Sequence, residues 1–248
     1  MDCENVSRSR NVSDFMRGEF KMKKWKIVCL ILVISICTVG FFTAYGDNIE
    51  NKLADWGYSL GIGIRNISEK SNISENRNVV SYVNDIPVYE DEIIERIEKN
   101  KAISDAMKAS GSSTPISWGS NPFDYVYKEK FELYYAEAND IEVSKEELEE
   151  CISNEKAVWE TEDAKEIFEQ YLAGRGVTAE EFYNEIAPPS YEKSILKRKV
   201  REHILQRAGM TEKEYEEKQK YLDEFYRKNI KVKEIDKDFI KKYNKEFM

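Results

Sequence analysis

Two adjacent pairs of carboxylates form a dense set of side chains that could do chemistry. Glu146-Glu147 and Glu149-Glu150 could supply a general acid and a general base, because such catalysis uses titratable groups placed close together. They follow Ser144, and Ser144 with Glu147 forms the capping-box pattern of a helix start. Acidic residues in a first helical turn complement the helix dipole. We therefore interpret these carboxylates as a solvated helix cap, with an acid–base enzyme as the alternative.

The thiols and the imidazole offer little for catalysis or metal binding. Cys3 precedes an apolar run and Cys29 and Cys37 lie inside it, so Cys151 is the one cysteine of the remaining chain. That part can form no intrachain disulfide and no Cys-Cys metal site. Cys151 lies in a helical apolar pattern and is interpreted as a core or semi-buried thiol. His203, the single histidine, is interpreted as solvated or packed, so we expect no catalytic site, cofactor or metal.

A basic set in one predicted helix could contact phosphate or an anionic cell-wall polymer. Its members are Lys193, Lys197, Arg198, Lys199, Arg201 and Arg207. Glu192 and Glu202 lie among them, so we interpret the set as a solvated face with balanced charge. The formal net charge of -9 argues against a general affinity for nucleic acid.

The first element that organises the chain is a membrane segment. Ile27 to Ala44 carries no charge, and its eighteen residues would span about 27 Å as a helix, just enough to cross a bilayer. The lead, residues 1–26, is basic close to the segment, whereas Asp47 and Glu50 follow it. The positive-inside rule therefore predicts a cytoplasmic N-terminus and an extracytoplasmic body.

Whether this segment is a signal peptide or an anchor stays open from the sequence. Ala44-Tyr45-Gly46 has small residues at the positions that signal peptidase reads, so cleavage after Gly46 would give a secreted chain. The lead is longer than that of an ordinary signal peptide unless translation starts at Met22 rather than Met1. We favour a single-pass anchor for this reason.

Residues 47–78 are rich in glycine, asparagine and serine without a sustained apolar period, so we expect a linker there. Two short strands, residues 79–83 and 86–88, are predicted around Asn84-Asp85, a turn whose residues tolerate positive φ. A helix then begins at Glu90, with three acidic residues in its first turn.

The middle of the chain contains a loop and an aromatic helix. Residues 108–121 are rich in glycine, serine and proline and carry Ile116 and Trp118. Apolar and aromatic residues then recur at helical spacing, at Phe123, Val126, Tyr127, Phe131, Tyr134, Tyr135 and Ala138. A packed core face is the default interpretation of this stripe, and a ligand surface is the alternative.

Local signals also divide the last third of the chain. Capping boxes predict helix starts at Thr178 and Thr211, and Pro188-Pro189 is expected to interrupt a helix. Residues 230–235 alternate apolar and charged side chains as a strand does, and residues 236–248 are interpreted as a C-terminal tail.

The serial order of these elements resembles the SurA N-terminal-like chaperone domain, the family of SurA, the PrsA foldases and, at fold level, the trigger-factor C-terminal domain. The similar segments are VVSYVNDIPVYEDEI, ANDIEVSKEELEECI, GVTAEEF and the basic helix SILKRKVREHI. Tyr89 and Pro188-Pro189 depart from the family pattern. The resemblance covers residues 79–235 and implies a mostly α, multi-helix domain with a small two- or three-stranded β element, placed after a membrane helix.

Many relatives carry a parvulin prolyl-isomerase domain after the basic helix, with paired active-site histidines. Here the short interval from Gln206 to Thr211 separates that helix from the next, and His203 is the single histidine. The resemblance therefore implies no isomerase site, and we expect a protein that is not an enzyme.

The function expected from the resemblance is an extracytoplasmic, ATP-independent holdase that binds unfolded or newly exported polypeptides. The alternative is a structural adaptor subunit of a cell-envelope complex, and the sequence leaves oligomeric state and client identity open. Candidate polypeptide-contact residues are Ile116, Trp118, Tyr127, Phe131, Tyr134 and Tyr135.

Overall fold

A computed structural model describes residues 49–71, 77–109 and 121–247. The chain divides into Met1–Ile49, which lies outside the described residues except for its last one, and Glu50–Met248. In the described part the second unit is mostly helical, with one three-stranded antiparallel sheet. The helices are α1 (Ile49–Ser71), α2 (Glu90–Ala109), α3 (Pro122–Ala138), α4 (Lys145–Trp159), α5 (Glu162–Arg175), α6 (Ala179–Glu181, continued by a π-helical turn at Phe182–Ile186), α7 (Pro188–Arg207), α8 (Tyr215–Asn229) and α9 (Lys237–Phe247).

The sheet consists of β1 (Val79–Val83), β2 (Ile86–Tyr89) and β3 (Val232–Glu234), in the order β2-β1-β3. The predicted hairpin is confirmed. Asn84 and Asp85 have φ of 48° and 71°, the left-handed conformation that a two-residue hairpin turn requires. The predicted terminal strand is confirmed as well, since β3 pairs antiparallel with β1.

The larger hydrophobic core joins the sheet to α2, α3, α7, α8 and α9. Val83 and Val88 from the hairpin and Val200 from α7 are fully buried within it. The buried members are Val80, Val83, Val88, Ile93, Phe123, Val126, Phe131, Ala136, Val200, Ile204, Leu222, Tyr226 and Ile240. The core-face interpretation of the aromatic stripe on α3 is therefore confirmed for its inward positions.

A smaller aromatic core holds α4, α5, α6 and the start of α7 together. Phe168 is central, because its ring stacks on Trp159 at a centroid distance of 5.1 Å and meets Phe182 edge to face at 5.4 Å. Tyr191 packs at the border of this core. Helix α7 thus contributes to both cores, with Tyr191 in the smaller one and Val200 in the larger one.

The expected linker over residues 47–78 is wrong for most of its length, because Ile49–Ser71 forms α1. Gly57 and Gly61 lie one turn apart on its buried face and face α5. A Cβ at Gly57 would lie 2.6 Å from the carbonyl oxygen of Ile167, and a Cβ at Gly61 would lie 2.7 Å from the amide nitrogen of Arg175. The backbones of α1 and α5 therefore meet at positions where an amphipathic helix normally carries large apolar side chains. Glycines at these positions hide the helical apolar period in the sequence of residues 47–78.

The expected C-terminal tail, residues 236–248, is also wrong, because Lys237–Phe247 forms α9. Asp236 caps it, since its Oδ1 accepts a hydrogen bond from the Phe239 amide at 2.9 Å. Ile240 is buried in the larger core, with Phe239 and Tyr243 packed beside it. One apolar face among lysines is enough to hold this short helix in place.

One helix start differs from the sequence prediction. Thr211 is not the N-cap of α8, because α8 starts at Tyr215 with Glu214 as its N-cap. The predicted interruption at Pro188-Pro189 is confirmed, because the helical run that begins with α6 ends at Ile186 and Pro188 is the first residue of α7.

The predicted membrane segment, Ile27 to Ala44, lies outside the described residues. Within the described ranges, no helix combines the length and the apolar character needed to cross a membrane.

Candidate polypeptide-contact surface

Four aromatic side chains from α3 and α8 form a partly exposed surface, here named the aromatic strip: Tyr134, Tyr135, Tyr221 and Phe225. Phe225 is central, because its ring centroid lies 6.0 Å from that of Tyr135 and 6.3 Å from that of Tyr221. Tyr134 joins through the ring of Phe131, 6.3 Å away. Tyr134 is 39% exposed, and the other three are half-buried.

The strip lies on a mostly buried base. Phe131 is 2% exposed and meets Tyr226 edge to face at 5.8 Å. Beside it, the 2% exposed carboxylate of Glu132 accepts hydrogen bonds from Tyr226 Oη at 2.7 Å and from Arg201 Nε at 2.9 Å. Burial, followed by the negative charge of Glu132, raises the pKa of Tyr226. The Tyr226 hydroxyl therefore stays protonated and donates to Glu132. The base therefore joins α3, α7 and α8 through a satisfied polar network under apolar rings.

The structure separates the six predicted contact residues. Tyr134 and Tyr135 lie in the strip, whereas Phe131 lies beneath it as core. Tyr127 is half-buried and packs on the ring of Phe123 at 6.0 Å, nearer the sheet. Ile116 and Trp118 lie outside the described residues.

Sequence reasoning missed the two strip members on α8. Tyr221, Leu222, Phe225 and Tyr226 follow one another at steps of one and three residues, which places two pairs on one helical face. That spacing was available as a signal of an aromatic face on α8.

His203 packs against the strip and is not exposed alone. Its Nδ1 lies 3.2 Å from the Tyr135 hydroxyl, and the two rings meet at 5.8 Å. The interpretation of His203 as a packed side chain is confirmed.

Four members of the basic set on α7, Lys193, Arg198, Arg201 and Arg207, are exposed, as predicted for a solvated face. Most of the charge partners, however, lie on other helices. Lys193 and Lys197 both pair with Glu129 of α3, Lys199 pairs with Glu147 of α4 at 2.8 Å, and Arg201 pairs with Glu132. Arg207 donates to Asn139 Oδ1 at 3.2 Å. The prediction of a solvated face is confirmed for the four exposed residues, whereas the carboxylates that pair with Lys193, Lys197, Lys199 and Arg201 lie on α3 and α4 rather than at Glu192 and Glu202.

Glu129, which pairs with Lys193 and Lys197, is largely enclosed, with 14% of its side chain exposed. Burial alone would raise its pKa, but Lys197 and Lys193 outweigh burial, so the pKa of Glu129 falls below its usual range. A carboxylate with a depressed folded pKa contributes stability above its unfolded pKa and loses it as the pH falls through the folded pKa.

We therefore expect an acid-dependent stability difference between the wild type and Glu129→Gln. The difference in unfolding free energy should be constant above about pH 5 and shrink as the pH falls below about 4, near the unfolded pKa of a glutamate. Urea unfolding at half-unit pH steps measures it. A difference that stays flat down to pH 3 would contradict the role of Lys193 and Lys197.

The remaining chemical candidates have structural partners. Ser144 Oγ accepts from the Glu147 amide at 3.2 Å and Glu147 accepts from the Ser144 amide at 2.9 Å, so the predicted capping box is confirmed. Cys151 is 8% exposed, and burial raises the pKa of its thiol, in accord with a core thiol. Within the described ranges, no group of three or more His, Cys, Asp or Glu could hold a metal ion.

Comparisons of the chain with protein-family models, with curated proteins and with solved structures find no match.

Proposed function

We propose that this chain is an extracytoplasmic, ATP-independent holdase-like protein that binds unfolded or newly exported polypeptides through the aromatic strip. Residues 27–44 would anchor it as a single-pass membrane protein, with the N-terminus in the cytoplasm. Residues 79–235 would form a domain like the SurA N-terminal domain without an isomerase site, as their serial resemblance suggests.

The partly exposed aromatic strip carries this proposal. Tyr134 and its half-buried neighbours offer rings that a client's apolar side chains can cover, and such burial is nondirectional, worth about 25 cal/mol per Å². Tyrosine suits this role because its ring is apolar while its hydroxyl stays solvated. Phe131 and Tyr226 hold the strip from below, so little ordering is required when a client binds.

The charges around the strip support apolar rather than ionic recognition. Lys193 and Arg201 of α7 are paired with carboxylates of α3, as in the Arg201–Glu132 pair at 2.9 Å beside the base of the strip. A client would therefore have to compete with these ion pairs to use them. The exposed part of the Tyr134 ring, in contrast, is accessible without breaking an ion pair.

The test is suppression of aggregation by full-length chain in lipid nanodiscs, with reduced insulin as client and light scattering as readout. We expect wild type to suppress scattering without ATP, and Tyr134→Ala with Tyr221→Ala to lose most of that effect. Tyr215→Ala is the matched control, because Tyr215 is 73% exposed on the same helix as Tyr221 and lies outside the strip.

Thermal unfolding of all three proteins verifies that the strip variant is folded. Equal suppression by the wild type and a folded strip variant would refute the strip as the client surface. A single stoichiometric, folded partner recovered by crosslinking from membranes would instead favour the adaptor function.

A further inference from the structure

The outer edge of β3 presents backbone groups that face no other strand of the sheet. The Ile235 amide donates to the Val80 carbonyl at 2.9 Å and the Asn84 amide donates to the Lys231 carbonyl at 3.0 Å. Lys233, between them, is in register with Tyr82 of β1. Because backbone groups alternate in direction along a strand, those of Val232 and Glu234 point away from β1.

This edge is solvent-exposed and carries apolar side chains. Every residue from Lys231 to Asp236 is exposed, with Val232 at 42% and Ile235 at 50%. The opposite edge of the sheet differs, because β2 contains Pro87 and contacts α2 and α3. A proline cannot donate to a ladder, so β3 is the edge of the two that is suited to another strand.

We propose that the outer edge of β3 binds one extended segment of a client polypeptide by β-strand addition, with acidic client side chains opposite Lys231 and Lys233. This inference rests on the proposed function, since it names a second site for the same class of partner. Backbone pairing supplies sequence-tolerant binding, and the side chains on either face of the strand supply preference.

Charge argues for a foreign segment rather than a second copy of β3. Outward groups must pair with outward groups, and the Asp236 amide already donates to the Val80 carbonyl at 3.1 Å. A two-fold antiparallel pairing can therefore bring Val232 opposite Val232 or opposite Glu234. The first register places Lys231 against Lys233 twice, and the second places Lys233 against itself. Like charges directly opposite destabilise a strand pair, and edge lysines commonly prevent such self-association.

An acidic extended segment meets none of these repulsions. Lys231 and Lys233 project on the same face, two residues apart, so glutamates at alternate positions of an incoming strand can lie opposite both. Its intervening apolar residues would then lie beside Val232. A client strand of alternating apolar and acidic residues fits this edge best.

The experiment uses the full-length chain in nanodiscs and a capped peptide of alternating valine and glutamate, seven residues long. At saturating peptide, the Val232 and Glu234 amides should exchange with solvent at least about tenfold more slowly, because they become hydrogen-bonded. Val232→Pro should weaken peptide binding at least about tenfold, since it removes an outward donor. The variant should keep the hydrogen bonds between β3 and β1, because the Val232 amide does not take part in them.

A charge-reversal variant tests the same edge without altering the backbone. Lys231→Glu with Lys233→Glu should bind a valine–lysine peptide in preference to the valine–glutamate one, the reverse of wild type. Unchanged exchange at Val232 and Glu234, or an unchanged peptide preference after reversal, would overturn the inference.

Aggregation suppression separates this inference from the proposed function. If the wild type suppresses aggregation of reduced insulin but the peptide does not protect the edge amides from exchange, the β3 site alone is refuted. If the peptide binds at the edge but the wild type does not suppress aggregation, the holdase function alone is refuted.

Discussion

Replacing Arg201 by methionine should destabilise the fold by about 1–3 kcal/mol, the usual cost of leaving a buried polar group without a partner. The cost stays below that of breaking a fully buried ion pair, because half of the Arg201 side chain is exposed to solvent. The exposed fraction of Glu132 is 2%, and Arg201 is its charged partner at 2.9 Å. Tyr226 alone would then donate to the carboxylate. Urea unfolding followed by tryptophan fluorescence measures the change in unfolding free energy.

Two further variants of this chain make the prediction specific. Arg198→Met, on the exposed side of the same helix, should change stability by less than about 0.5 kcal/mol. Glu132→Leu, Arg201→Met and Tyr226→Phe together should regain most of the lost stability, because the network is then removed as a unit. If Arg198→Met lowers the unfolding free energy as much as Arg201→Met, the cost does not arise from leaving the buried Glu132 carboxylate unpaired.

Replacing Gly61 by alanine should destabilise the fold by about 1–3 kcal/mol, although alanine is the better helix former by about 1 kcal/mol. The new Cβ would press on the backbone of α5 at Tyr171 and Arg175. Because a backbone cannot turn away as a side chain can, α1 must shift from α5. Thermal unfolding and amide exchange in α1 report both consequences.

The control is a second alanine substitution in α1. Asn66 is exposed on the same helix, so Asn66→Ala should stabilise slightly, by about half a kcal/mol, through helix propensity alone. The two substitutions therefore have opposite expected signs. A stabilising Gly61→Ala would show that α1 does not approach α5 closely in solution.

The sequence predicted only the two members of the aromatic strip that lie on α3. Helical spacing predicted that Tyr134 and Tyr135 share a helix with Phe131, but not which of them is buried. Burial depends on α8, whose Phe225 meets Phe131 at a ring distance of 6.2 Å across a long stretch of chain. Only the packing of α3 on α8 decides that Phe131 is core and that Tyr134 is open.

The sequence by itself determined the features that depend on neighbouring residues. The turn at Asn84-Asp85, the capping boxes at Ser144 and Thr178 and the acidic first turn at Glu90 need only one hairpin or one helical turn. Their energetics are local, so their residue types predict them directly.

Tertiary structure alone decided what pairs across the chain. Arg201 and Glu132 are 69 residues apart, and no local rule selects Glu132 over the nearer Glu202. In the sequence, Gly57 and Gly61 look like linker residues, and only their close approach to α5 shows that they lie in a packed helix. Likewise, α9 looks like a tail in the sequence, and only the burial of Ile240 shows that it belongs to the core. Residue type alone does not decide whether a glycine or a charged residue is buried, because its contribution to stability depends on the groups that pack against it.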